Sequence, residues 1–248
     1  MTAGADFSTL EEFDIKATLQ AWKNDLVEKV AVNDLVSRCP IAHKWKAPYR
    51  CLVIREALLW RMVDLGTAID VLTDQEQILG VRILLRCAVE ASALMEFLCQ
   101  KIDDVVTGKL SWFDFENDTM RILVGSKSSL VVDGYEAFNI LSVLKRANRT
   151  YGALENMHQK LSESVHPNYD GVIYAYSKPV PEAKETHFGN YWTTNFGHQH
   201  APGTAYVFAC FFDAYNCRWI DAIESLETWL RENDAELEAT RQTLDEIP

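Results

Sequence analysis

The stretch from Leu79 to Leu98 constrains the fold most strongly. Leu79, Ile83, Leu84, Ala88, Ala91, Leu94, Met95 and Leu98 recur at helical spacing, with few polar residues on any side. A helix that is apolar around most of its circumference must be enclosed by other helices or by a membrane. No stretch of this chain approaches the roughly 18 uninterrupted apolar residues that a membrane span needs. The segment therefore predicts the buried central helix of an all-α bundle. Thr73 with Glu76 forms a capping box that would open this helix, which should run to about Lys101.

Similar periodicity fills most of the chain. Ser8 and Glu11 form another capping box ahead of Phe13, Ile15, Leu19, Trp22, Leu26 and Val30, predicting a first helix that ends before Pro40. Pro48 suits the first turn of a second helix, whose apolar face carries Leu52, Val53, Leu58, Leu59, Met62, Val63 and Leu65. A shorter helix is expected between Ser111 and Val124, and Asp133-Gly134 reads as a turn. Helices follow at about 135–147 and 151–165, with Asn148 and Gly152 weakening the join. Thr204 is a good N-cap for a strongly apolar segment, Tyr206 to Ile220, which continues through Ile223, Leu226 and Leu230. The acidic piece 232–248, anchored by Leu237 and Leu244, is expected to be peripheral. With no internal repeat and no linker, the reading is one helical domain, 1–248, of about six to eight helices.

Residues 166–203 break the pattern. Pro167, Gly171, Pro179, Pro181, Gly189, Gly197, Pro202 and Gly203 interrupt any helix, and Tyr169, Tyr174, Tyr176, Phe188, Tyr191, Trp192 and Phe196 crowd the same stretch. Aromatic content of this kind opposes disorder. The segment reads as an ordered, aromatic-rich loop with a short hairpin of Val172–Tyr176 and Tyr191–Asn195, serving as packing over the bundle or as a lid or partner-binding flap.

Charge and cysteine usage narrow the function. Asp and Glu number 36 against 24 Lys and Arg, a net charge of −12. That excess opposes a general nucleic-acid or anionic-membrane surface and leaves room only for a small local basic pocket. The six cysteines, at 39, 51, 87, 99, 210 and 217, contain no C-x-x-C pair, and several lie in apolar helical stretches. They read as small hydrophobes of a cytoplasmic protein, and the acidic start of the chain carries no export signal. Dinucleotide-binding, P-loop, nucleophile-elbow and H-E-x-x-H motifs are all absent from the sequence.

Four groupings could carry chemistry. Arg82, Arg86 and Glu90 are spaced four apart on the central helix and share one face. They form a paired polar seam between helices or an anion pocket in which Glu90 orients Arg86. Glu155/His158 and Glu163/His166 have the E-x-x-H spacing of carboxylate-bridged metal bundles, with Glu90 and Glu96 as further carboxylates. Both copies fall on one helix, rotated by about 80° from each other, so they cannot wrap a common metal pair. His166, just ahead of Pro167, is a helix-stop residue or turns back onto a carboxylate such as Glu90. Finally, His198-Gln-His200 places two imidazoles close together, with His187 and Cys210 as possible companions.

Two of these stretches carry a resemblance. Arg86-Cys-Ala-Val-Glu90 with the apolar run behind it, and Leu161-Ser-Glu-Ser-Val-His166-Pro167, resemble the R-x-x-x-E and L-S-x-x-V-H-P segments of a widespread group of bacterial helical proteins. That group is similar to the HEPN superfamily of helical bundles, some of which are RNases or nucleotide-handling modules. The resemblance implies that Arg86, Glu90, Ser162 and His166 converge. HEPN nucleases space an Arg and a His with four to six residues between them. Here only Arg38 and His43 do so, with Pro40 between them, and the Arg149–His158 gap is too long.

The expectation is thus an HEPN-like interaction or regulatory module that is not an enzyme, uses no cofactor, and forms a homodimer or binds a protein partner. Two alternatives stay open. One is an RNA- or nucleotide-acting enzyme in which Arg86 holds phosphate and His166 is general acid/base, beside Glu90 and Ser162. The other is a metal-binding bundle using Glu90, Glu155, His158 and His166.

Overall fold

Capping and proline placement explain where several elements begin. The computed structural model describes residues 14–126 and 134–245. Its helices are α1 (Ile15–Asn24), α2 (Val32–Arg38), α3 (Lys46–Asp74), α4 (Ile78–Val106), α5 (Trp112–Val124), α6 (Ile140–Ala147), α7 (Leu154–Val165), α8 (Trp192–Phe196), α9 (His200–Asp213) and α10 (Trp219–Asp245). Between α7 and α8 lies an antiparallel hairpin of β1 (Ser177–Val180) and β2 (Glu185–Phe188). The fold is all-α, as the periodicity requires, and no helix among the described residues is long and apolar enough to cross a membrane.

Ser111 caps α5 as expected, its hydroxyl accepting the Asp114 N–H at 3.1 Å. Pro48 sits in the first turn of α3, where its missing N–H leaves no helical acceptor unserved. The Ser8–Glu11 box and Asp133 lie outside the described residues. Asp14 caps α1 instead, accepting the Ala17 N–H at 3.0 Å.

Several expectations are corrected. The single first helix is two, because the chain leaves helical geometry at Asp25 and re-enters at Val32, where Asp34 accepts the Ala31 N–H at 2.8 Å. Thr73 does not cap α4. Its hydroxyl donates to the Ile69 carbonyl inside α3, and the chain turns at Glu76 with a left-handed φ of 56°. Central helix α4 runs to Val106, past Lys101. The hairpin exists, but its strands lie inside the expected pair. Residues Tyr169–Tyr174 instead form a π-helical turn, held at its start by Asn168 accepting the Gly171 N–H at 3.1 Å. Helix α9 begins at His200, four residues before the expected cap Thr204, and α10 is continuous through Asp245.

The chain divides into two compact units, and α3 and α4 each contribute residues to both. In the first (residues 14–26, 59–94 and 140–213), Trp22 stacks on Phe208 and meets Phe211 edge-on, at 6.0 and 5.4 Å. A Cβ at Gly66 would lie 2.5 Å from Leu19 Cδ2 and 2.7 Å from Phe208, so glycine is what lets α3 approach α1 and α9 here. In the second (residues 27–58, 95–139 and 214–245), Trp112 contacts Trp45, Phe115 and Trp229 within 5.6–5.7 Å. Within this unit, buried Glu96 takes Arg218 at 3.4 Å, and Lys101 meets Asp118 at 2.5 Å.

Candidate functional site

In the first unit, the polar face of α4 meets the polar stripe of α7. Leu154, His158, Leu161 and Ser164 are the buried residues of α7 and recur at helical spacing, so His158 and Ser164 are carried inward by the same stripe that buries the leucines. Arg82, buried, donates to Ser164 Oγ at 2.6 Å and to the Lys160 carbonyl at 3.2 Å, and its guanidinium lies 4.5 Å from the centre of the Phe196 ring. Burial pushes the pKa of this guanidinium below its ordinary range, and the Asp170 carboxylate opposes the shift.

One turn on, Arg86 Nη2 lies 3.2 Å from Glu90 Oε1. His158 Nε2 is 2.9 Å from the same carboxylate oxygen and 3.2 Å from Arg86 Nε. A carboxylate only accepts and a guanidinium only donates. The proton on Nε2 therefore decides its partner: present, it is donated to Glu90; absent, the lone pair accepts from Arg86. In either state the imidazole nitrogen facing the charges is occupied from within the fold.

The structure brings together Arg86 and Glu90, as expected, but the imidazole that joins them is His158. His166 caps the end of α7 through its backbone N–H on Ser162 and is exposed. The helix ends one residue before it, which removes it from the inward stripe. Ser162 donates its hydroxyl to the His158 carbonyl at 2.7 Å, a bond within its own helix. Glu155 is exposed, and Glu163 is engaged by Asn168. Among the described residues no three His, Cys, Asp or Glu side chains are grouped as a metal would require, so Glu90, Glu155, His158 and His166 do not assemble into one site.

The other groupings are dispersed as well. His187 meets Glu185 on β2, and His198 meets Gln199. His200 is buried, and its Nε2 has no hydrogen-bond partner in the structure. Burial first, then the charges of Arg82 and His198, lower its imidazole to about 4, so it is neutral at pH 7. Of the nuclease-like pair, Arg38 faces Glu227 at 3.5 Å and His43 bonds the Pro40 carbonyl.

The segment after α7 has a different character. Ile78, Ala175, Trp192 and Phe196 form a small buried cluster that ties it to the start of α4. It exposes several large apolar side chains: Tyr169 is 65% exposed, Ile173 54% and Phe188 82%, and Val172, Tyr174 and Tyr176 are exposed as well. All four residues of β2 are exposed. The aromatic excess in 166–203 signalled this lobe, whereas nothing in the spacing showed which rings face outward. Comparison with protein-family models, with curated proteins and with solved structures gives no match for this chain.

Proposed function

We propose that this chain is a non-enzymatic interaction module that associates with a second copy of itself through the hairpin lobe, residues 169–188. The observation that carries this reading is the exposure of Phe188, Tyr169 and Ile173 on an element that Ala175 anchors to a buried cluster with Ile78, Trp192 and Phe196. Several large apolar side chains exposed within one short segment favour a protein partner. The strand edge supports a second copy as that partner. A lone two-stranded hairpin is marginal in water. β1 carries Pro179, which lacks an N–H, whereas β2 has no proline and presents an edge that an antiparallel β2 from another copy can extend. Such pairing is self-complementary and closes at a dimer.

The charge cluster is consistent with this reading. Arg86, Glu90 and His158 satisfy one another, which suits a latch between α4 and α7 better than a catalytic centre awaiting substrate. Sedimentation velocity across a wide concentration range tests the proposal. The chain should show a concentration-dependent dimer, and the double change Ile173→Ser with Phe188→Ser should leave a monomer with unchanged helical circular dichroism. A monomer at every concentration, or a dimer indifferent to both substitutions, contradicts it.

A further inference from the structure

The second unit contains a cavity of about 360 Å³ whose lining reverses the sign of the protein's overall charge. Lys44, Lys46, Arg50 and Arg241 line it, against one carboxylate, Glu116. In a chain with a net charge of −12, cations gathered in one concavity are not a by-product of composition.

Two of the four cations are already neutralised. Lys44 Nζ lies 2.6 Å from Asp234, and Arg241 lies 3.3 Å from Glu238 while reaching over the Trp45 ring at 5.4 Å. The other two are not. Arg50, half-buried, donates to the Glu116 carbonyl at 3.0 Å and to the Thr119 hydroxyl at 3.5 Å, both neutral acceptors. Lys46 is exposed and pairs with no carboxylate among the described residues. Lys46 and Arg50 are four apart on the first turns of α3, so they stand on one face at the end of the helix where its dipole is positive. No acidic residue occupies that first turn.

We infer that this cavity binds a small phosphorylated molecule, with its phosphate between Lys46 and Arg50. A guanidinium fork suits a phosphate's paired oxygens, and the lysine adds a mobile point charge. The volume lies in the range of small-ligand pockets, and half-buried Tyr135 in the lining can contact the organic part. The Glu116 carboxylate acts against the anion and limits its affinity. The inference rests on groups in the second unit and does not depend on the hairpin lobe.

Calorimetric titration of the full chain with inorganic pyrophosphate at low salt tests it. A saturable isotherm with a Kd below about 1 mM is expected. Lys46→Met, on an exposed side chain that should not disturb folding, and Arg50→Met should each weaken binding about tenfold. Glu116→Gln should strengthen it several-fold. Absence of binding to the parent protein overturns the inference. So does binding that ignores both Lys46→Met and Glu116→Gln, since that would place the anion elsewhere.

Discussion

Two charged regions of this molecule differ in how their charges are settled. In the first unit, Arg82, Arg86, Glu90 and His158 satisfy one another or take acceptors from α7, at distances of 2.6–3.2 Å. In the second, Lys46 and Arg50 pair with no carboxylate among the described residues and stand beside a cavity. The first region holds the residue types that suggest chemistry in a sequence; the second has no motif at all. Charges on an apolar helix must find partners or destabilise the fold, so a polar face on a helix as buried as α4 is first a packing device. Cations that keep their charge uncompensated at a concave surface are where a ligand has something to add.

The largest expected effect follows from breaking the settled region. Arg82→Ala removes a buried guanidinium and leaves Ser164 Oγ and the Lys160 carbonyl without their donor. It should cost about 3–4 kcal/mol in urea unfolding. A loss below about 1 kcal/mol would place the stability of the α4–α7 packing elsewhere.

His200 gives a pH-dependent effect of similar size in the same unit. Its imidazole titrates near 4 in the folded chain and near 6.5 when unfolded, so between those values the unfolded state binds the extra proton. The His200 contribution is complete above pH 6.5 and is lost as pH falls through about 4, amounting to ~3 kcal/mol. Chemical unfolding across pH 7 to 4, with His200→Phe as the flattened control, and the NMR titration of its ring check this. A ring that titrates near 6.5 would contradict it.

Smaller effects sharpen the contrast. Glu90→Gln keeps the shape but removes the charge that Arg86 and His158 share, and should destabilise by ~1–2 kcal/mol in thermal or urea unfolding. Lys46→Met should change stability by less than about 0.5 kcal/mol, since the side chain is exposed and has no carboxylate partner among the described residues. A seam substitution should therefore affect stability, whereas Lys46→Met in the cavity should affect only ligand binding.

What was legible in the sequence follows the range of each signal. Ser111 and Pro48 act within one turn, and α5 and α3 start where those residues place them. The break at Asp25 and the turn at Glu76 carry neither Gly nor Pro, so the periodicity ran through the first and misassigned Thr73 beside the second. The aromatic excess after His166 marked an ordered segment, but hairpin register depends on tertiary packing, and Val172–Tyr174 went into a π-helical turn. At the candidate site, Arg86 and Glu90 were readable as an i,i+4 pair. The choice of His158 over His166 turns on helix phase, since only His158 shares a stripe with Leu154 and Leu161. The cavity gathers Lys46, Glu116 and Arg241 from distant parts of the chain, so no local pattern pointed to it.

Amide hydrogen exchange of the hairpin at low and high protein concentration tests the central claim most directly. Association through β2 requires that the amides of Glu185–Phe188 slow markedly at high concentration, while those of α4, already buried, stay unchanged. Exchange in β2 that is equally fast at both concentrations would contradict the claim.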